Sequence, residues 1–305
     1  MRRERDRRIL VVSLISVVIL SLCLVTLVPF DRAASAEDIH GCLASLGQEP
    51  GDAVAMRERA YTLGQTLFED SAECNAFADE LAGLHEAAKG MDFLLVYNTG
   101  GFGGGVMADD PEWPGVIEGI QGELAGIGYE SMIIQHRRSR GGLVATLEQI
   151  EEIQEDYRNE APVLAAKAAF LTRYNPGLKV ILSGRCFGSV IANEVMEIDA
   201  ENPQLYSIQA GRPFWYTDEG GERSLVIEDN GVMPDILSSR GWLVFLWALA
   251  KANLGRLPSN TPPEEGSFKA INWYLKAPGH TYTWDHPGVR SCIVAFLEEH
   301  FASER

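Results

Sequence analysis

The stretch Gly184-Arg185-Cys186-Phe187-Gly188 sets a thiol between two glycines. It follows the short run Lys179-Val180-Ile181-Leu182 and precedes Val190-Ile191-Ala192-Asn193-Glu194-Val195, so the order reads strand, sharp turn, helix. A turn this tight crowds the backbone around its central residue, and glycines are the flanking residues that avoid a Cβ clash. At a helix start, free N–H groups and the positive end of the helix dipole favour a thiolate over a thiol. The chemistry predicted for Cys186 is nucleophilic attack. The competing reading is a buried structural cysteine.

A thiol nucleophile needs a base, a group that orients the base, and donors for a developing oxyanion. Pro278-Gly279-His280 stands in a loop between a final strand and a final helix that begins at Pro287, from where His280 can swing over the turn; His286, beside Pro287, is the competitor. In Val226-Ile227-Glu228-Asp229-Asn230-Gly231, Asp229 stands at a strand end, where an orienting acid is expected. Asp218 and Glu228 are alternatives, and Asp235 reads first as the N-cap of a following helix. The oxyanion donors would be the amide of Phe187 and amides around Gly100 and Gly101, in the loop Asn98-Thr99-Gly100-Gly101-Phe102-Gly103-Gly104-Gly105. No Lys-Ser or Lys-Thr follows these glycines, and they run into Asp109-Asp110-Pro111 rather than a helix, which argues against a phosphate-binding loop. The sequence calls for no cofactor and no metal.

These residues resemble the α/β-hydrolase superfamily. The cysteine turn, the Asp229-to-Pro234 segment and Gly279-His280 ahead of Pro287 match that superfamily's three signatures in its usual chain order. Cysteine at the turn is similar to dienelactone hydrolase and polyhydroxyalkanoate synthases. The resemblance implies an eight-stranded type of sheet and acyl-transfer chemistry on esters or thioesters, with Cys186, His280 and Asp229 as nucleophile, base and orienter. Asn98-Thr99 departs from the His-Gly often found before the oxyanion glycines, and the interval from Asp229 to His280 is longer than usual. A catalytically inactive hydrolase fold, used for binding or structure, is the alternative from another functional class.

The surrounding pattern is one that can position such groups. From residue 91 strands alternate with helices: Phe93–Tyr97, Val116–Ala125, Glu130–Gln135, a helical stretch over 143–173 interrupted near Pro162, 179–183, Leu205–Gln209, Ser224–Ile227, a helix over 235–254, Phe268–Tyr274 and a helix over 287–302. This order predicts a mostly parallel sheet covered by helices on both faces, over residues 91–305. The run from Trp242 to Ala250 is too short to span a bilayer and reads as a buried helix, or as a wall for a greasy acyl chain.

Residues 37–90 read as a small cap of helices, from apolar positions such as Met56, Ala60, Leu63 and Leu67. Ahead of it, residues 1–36 hold a basic segment, then an apolar run over 9–28 and Ala34-Ser35-Ala36. That is a membrane anchor helix or a cleavable signal peptide, and either implies an extracytoplasmic domain. In such a compartment Cys42 and Cys74 are expected to form a disulfide, while Cys292 packs on the last helix and Cys186 stays unpaired; Cys186–Cys292 pairing is the alternative. The whole chain of 305 residues carries 26 Lys and Arg against 43 Asp and Glu, a net charge of −17, which disfavours nucleic acid as a partner. The expected partner is a small acyl ester or thioester, lipid-like if the apolar wall is real.

Overall fold

The computed structural model describes residues 34–47, 51–100, 106–137, 160–213, 216, 220–232, 235, 238 and 279–302. The anchor segment, Gly101, Asp218, the Trp242–Ala250 run and the expected strand at Phe268–Tyr274 lie outside them. Residues Ala34–Arg305 form one compact unit.

Three helices come first: α1 (Ala36–Ser45), α2 (Ala53–Leu67) and α3 (Ser71–Ala87). Each starts on a side-chain cap that satisfies an otherwise unpaired amide: Ser35 on Asp38, Asp52 on Ala55, Asp70 on Ala72. At Ser35 the pairing is reciprocal, since Asp38 also accepts the Ser35 N–H at 3.0 Å. No helix among the described residues is long and apolar enough to cross a membrane.

The sheet follows: β1 (Phe93–Asn98), α4 (Trp113–Gly126), β2 (Ser131–His136), α5 (Glu160–Tyr174), β3 (Lys179–Arg185), α6 (Phe187–Ile198), β4 (Leu205–Ala210), β5 (Ser224–Ile227) and α7 (Pro287–Phe301). Its order is β2-β1-β3-β4-β5, and every pairing is parallel. This is the α/β arrangement that the alternation predicts. The parallel register sets Asn98 beside both His136 and Gly184, so the ends of β1, β2 and β3 open at one edge. Ligands in open α/β sheets bind at such carboxyl ends.

The central strands are buried from end to end because both faces are covered. Leu94 and Val96 of β1 share one apolar core with α1, α2, α3, α5 and α6. Phe93, Leu95 and Tyr97 face the other way, into a core with α4 and α7. The N-terminal helices are thus part of the covering layer of the sheet, with Ile39, Leu63 and Leu81 fully buried in it.

The expected Cys42–Cys74 disulfide is not formed. Both residues are free thiols, each donating to a different backbone carbonyl: Cys42 to that of Thr62 at 3.8 Å and Cys74 to that of Phe68 at 3.5 Å. The helical spacing that put each on an apolar stripe was correct, but it does not fix the rotation of α1 against α3, and geometry decides pairing. Cys292 is free and exposed on α7 rather than packed, and Cys186 is free as well.

Candidate active site

The turn after β3 is built by backbone approach. A Cβ on Gly188 would lie 2.5 Å from the Asn98 carbonyl oxygen, and one on Gly184 would lie 2.7 Å from the Gly188 carbonyl. Only glycine lets the first turn of α6 sit this tightly on the ends of β1 and β3. Between them Cys186 has φ 55° and ψ −125°, the positive φ that L-residues avoid. Among the described residues it is the one non-glycine with positive φ. Such strain costs about 1–3 kcal/mol and persists only where surrounding bonds over-determine it. Here the Cys186 N–H donates to Ala210 O at 3.0 Å, and the Cys186 carbonyl accepts from the Ser189 amide at 3.1 Å and the Ser189 hydroxyl at 2.5 Å.

The strain sets the partly exposed Cys186 side chain at the start of α6, where the His280 imidazole and the Phe187 amide act on the thiol. Burial opposes a charged sulfur there, but the His280 bond and charge, the Arg185 guanidinium and the Phe187 N–H outweigh it and lower the thiol pKa. His280 is 5% exposed. Burial disfavours its charged form, yet the bonds to Asp235 and Cys186 push its pKa up to about 10. The lowered thiol and the raised imidazole both shift in the direction that favours a thiolate–imidazolium pair.

The carboxylate beside His280 is Asp235, not Asp229. His280 Nδ1 lies 2.7 Å from Asp235 Oδ2, which leaves Nε2 for the thiol, and Asp235 is fully buried. Asp229 is exposed and accepts from the Gly231 amide at 2.6 Å, a local turn bond. Glu228 is also exposed, and His286 sits at the start of α7, where its Nδ1 accepts from the Thr283 amide at 3.3 Å. The cap rule explained Asp235 away in the sequence, because an aspartate ahead of a helical stretch has a sufficient local reason to be there.

Of the expected oxyanion donors, Phe187 and Gly100 lie at the turn, a Cβ on Gly100 coming within 3.1 Å of the Arg185 carbonyl. The structure thus brings Cys186, His280, Phe187 and Gly100 together and leaves Asp229 out.

The chain matches no protein-family profile and no curated protein. Among solved structures it is similar to a Trichoderma reesei cutinase in complex with a C11Y4 phosphonate inhibitor. The identity is 11% and the TM-score 0.39, over 80% of this chain and 98% of that one.

Several supporting residues had no legible signal in the sequence. Asn230, 4% exposed, donates to the Thr281 carbonyl at 2.9 Å and lies 3.5 Å from that of Gly279, so it brackets the His280 loop on both sides. Arg185 pairs with Asp110 at 3.3 Å and Glu112 at 3.2 Å, which moors the residue before Cys186 to the start of α4. Asp110 in turn accepts from the Tyr97 hydroxyl at 2.8 Å and from the amide of Trp113, the first residue of α4, at 3.3 Å. Gly211, at φ 58°, closes the far side of the site. A Cβ there would meet the Tyr282 ring at 2.8 Å, Asp235 Oδ2 at 2.9 Å and His280 Cε1 at 3.0 Å. Gly211→Ala is therefore expected to cost about 1–3 kcal/mol of stability and to separate His280 from Asp235. Urea unfolding, together with the rate of Cys186 alkylation near neutral pH, measures both effects.

Proposed function

We propose that the chain is an extracytoplasmic ester or thioester hydrolase, or an acyltransferase on the same bonds, acting through Cys186, His280 and Asp235. The observation that carries this reading is the strained Cys186 at a helix N-terminus, its thiol pKa lowered by a histidine that is itself held at 2.7 Å by a fully buried carboxylate. Backbone strain at one residue, paired with a base and an orienter, is an arrangement a purely structural cysteine has no use for.

In the reaction, the Cys186 thiolate adds to the acyl carbonyl carbon, and the new oxyanion is held by the Phe187 amide and an amide of the loop after β1. As the intermediate collapses, the bond from the acyl carbon to the leaving oxygen or sulfur breaks. The proton on His280 Nε2 passes to that leaving alcohol or thiol. A thioester to Cys186 remains. Water then gives a proton to His280 and adds to the acyl carbon, releasing the carboxylic acid and restoring the thiolate; in acyl transfer an alcohol, thiol or amine takes the place of water. Asp235 stays ionised, holding the imidazole in one tautomer and balancing its charge. The basic-then-apolar leader supports an exported or membrane-anchored location.

The pH dependence has a worked sign. The thiol pKa is lowered and the His280 pKa raised to about 10, so the ion pair spans the interval between them. Alkylation of Cys186 by iodoacetamide should rise through a midpoint below the usual cysteine value of about 8.5. It should then hold a plateau until His280 loses its proton. Turnover of p-nitrophenyl esters and acyl thioesters of graded chain length tests the activity itself. An ordinary thiol titration, with no turnover of any member of that series, would leave the inactive-fold reading in its place.

A further inference from the structure

Asp235 Oδ2 takes a second hydrogen bond. The hydroxyl of Tyr282, a fully buried side chain, donates to the same oxygen at 2.8 Å, against 2.7 Å for His280 Nδ1. The two rings stand edge to face, with centroids 6.1 Å apart. Residue 282 is anchored at its other end too. Its backbone N–H donates to Glu112 Oε2 at 3.3 Å, the oxygen that also takes Arg185 Nη1 at 3.2 Å. One residue therefore links the acid, through its hydroxyl, to the segment carrying Cys186, through Glu112 and Arg185.

We propose that Tyr282 is a positioning residue that acts through Asp235, fixing the carboxylate and sharing its charge so that His280 can release its proton to a leaving group. This rests on the reading of Cys186, His280 and Asp235 given above. Without the Tyr282 hydroxyl, more of the carboxylate's charge would fall on the imidazolium bond, holding the proton more firmly than general-acid work needs. A second donor on the same oxygen divides that charge. Burial first, and then the Asp235 charge, raise the Tyr282 pKa, so the hydroxyl stays a protonated donor. The other charges facing this group are Cys186 and Arg185 at the turn, with Asp110 and Glu112 on Arg185, and Glu228 and Asp229 after β5.

The test is the pH profile of Cys186 alkylation by iodoacetamide in the full chain, for the wild type, Tyr282→Phe and a variant with 3-fluorotyrosine at 282. Removing the hydroxyl should tighten the imidazolium–carboxylate bond and move the midpoint down by about 0.5–1 pH unit. With it, kcat on a p-nitrophenyl ester should fall roughly 3–10-fold at nearly constant KM. The fluorinated ring is a stronger donor and should move the midpoint up, and it carries the test alone if Tyr282→Phe does not fold. A lower melting temperature with an unmoved midpoint is what a merely structural tyrosine would give, and it would overturn the proposal, as would an upward shift in Tyr282→Phe. A wild-type midpoint at the ordinary cysteine value defeats the thiolate–imidazolium pair itself, a failure distinct from that of Tyr282.

Discussion

Cys186→Ala is expected to remove turnover, by roughly 10⁴–10⁶-fold in kcat, because no other group can form the covalent acyl intermediate. Cys186→Ser should keep a measurable part of it. The oxyanion donors are backbone amides, and neither Phe187 N–H nor the loop after β1 depends on which atom serves as the nucleophile. A hydroxyl is much harder to ionise than a thiol, so the serine variant should lose the low-pH limb of the profile. Alanine should also relieve no clash, since the strain at φ 55° is a backbone property that any L-residue at 186 inherits. The stability of both variants is therefore expected to stay near the wild-type value, which denaturant unfolding checks. Steady-state assay of the two proteins with one p-nitrophenyl ester decides the matter: an alanine variant near wild-type activity sinks the nucleophile assignment.

Asp235→Asn has the second-largest expected effect, and Asp229→Asn is its control. The asparagine at 235 keeps the shape of the carboxylate but removes the charge that supports the His280 imidazolium at 2.7 Å. By analogy with the loss of the orienting acid in serine hydrolases, kcat should fall about 10³–10⁴-fold. The alkylation midpoint of Cys186 should move up, because the thiolate loses part of its ion-pair partner. Among the described residues Asp229 bonds the Gly231 amide in its own turn, so Asp229→Asn should change kcat by less than about threefold. Reversal of the two, with Asp229→Asn the crippled protein, would mean that the carboxylate beside His280 is not the one that supports it.

The sheet was readable because its signal is local. Alternating short apolar runs and helical stretches can be satisfied by few arrangements, and a parallel sheet covered on both faces is the one that buries runs such as Phe93–Asn98 on both sides. The turn at Cys186 was readable for a similar reason. Gly184 answers a steric demand within five residues of chain, the Gly188 carbonyl lying 2.7 Å from where its Cβ would be, whereas the demand on Gly188 comes from the Asn98 carbonyl at the end of β1. His280 was legible from Gly279-His280 ahead of Pro287, where α7 begins.

What the chain alone left open were the contacts made between distant segments. Asp229 and Asp235 lie six positions apart and each has a local reason to be an aspartate. The structure turns Asp235 inward onto the His280 and Tyr282 side chains and leaves Asp229 out in solvent. The cysteine pairing failed in the same way, for Cys42 and Cys74 sit on predicted helical stripes whose mutual rotation is set by the whole core of α1, α2 and α3. Residue type and short spacing thus determined the strands and helices of the described residues, the strained thiol and the place of His280 ahead of Pro287. The choice of acid, the shared hydrogen bond of Tyr282 and the state of the N-terminal thiols were decided by tertiary structure, because side-chain direction over long separations follows from how layers pack and not from local conformational preference.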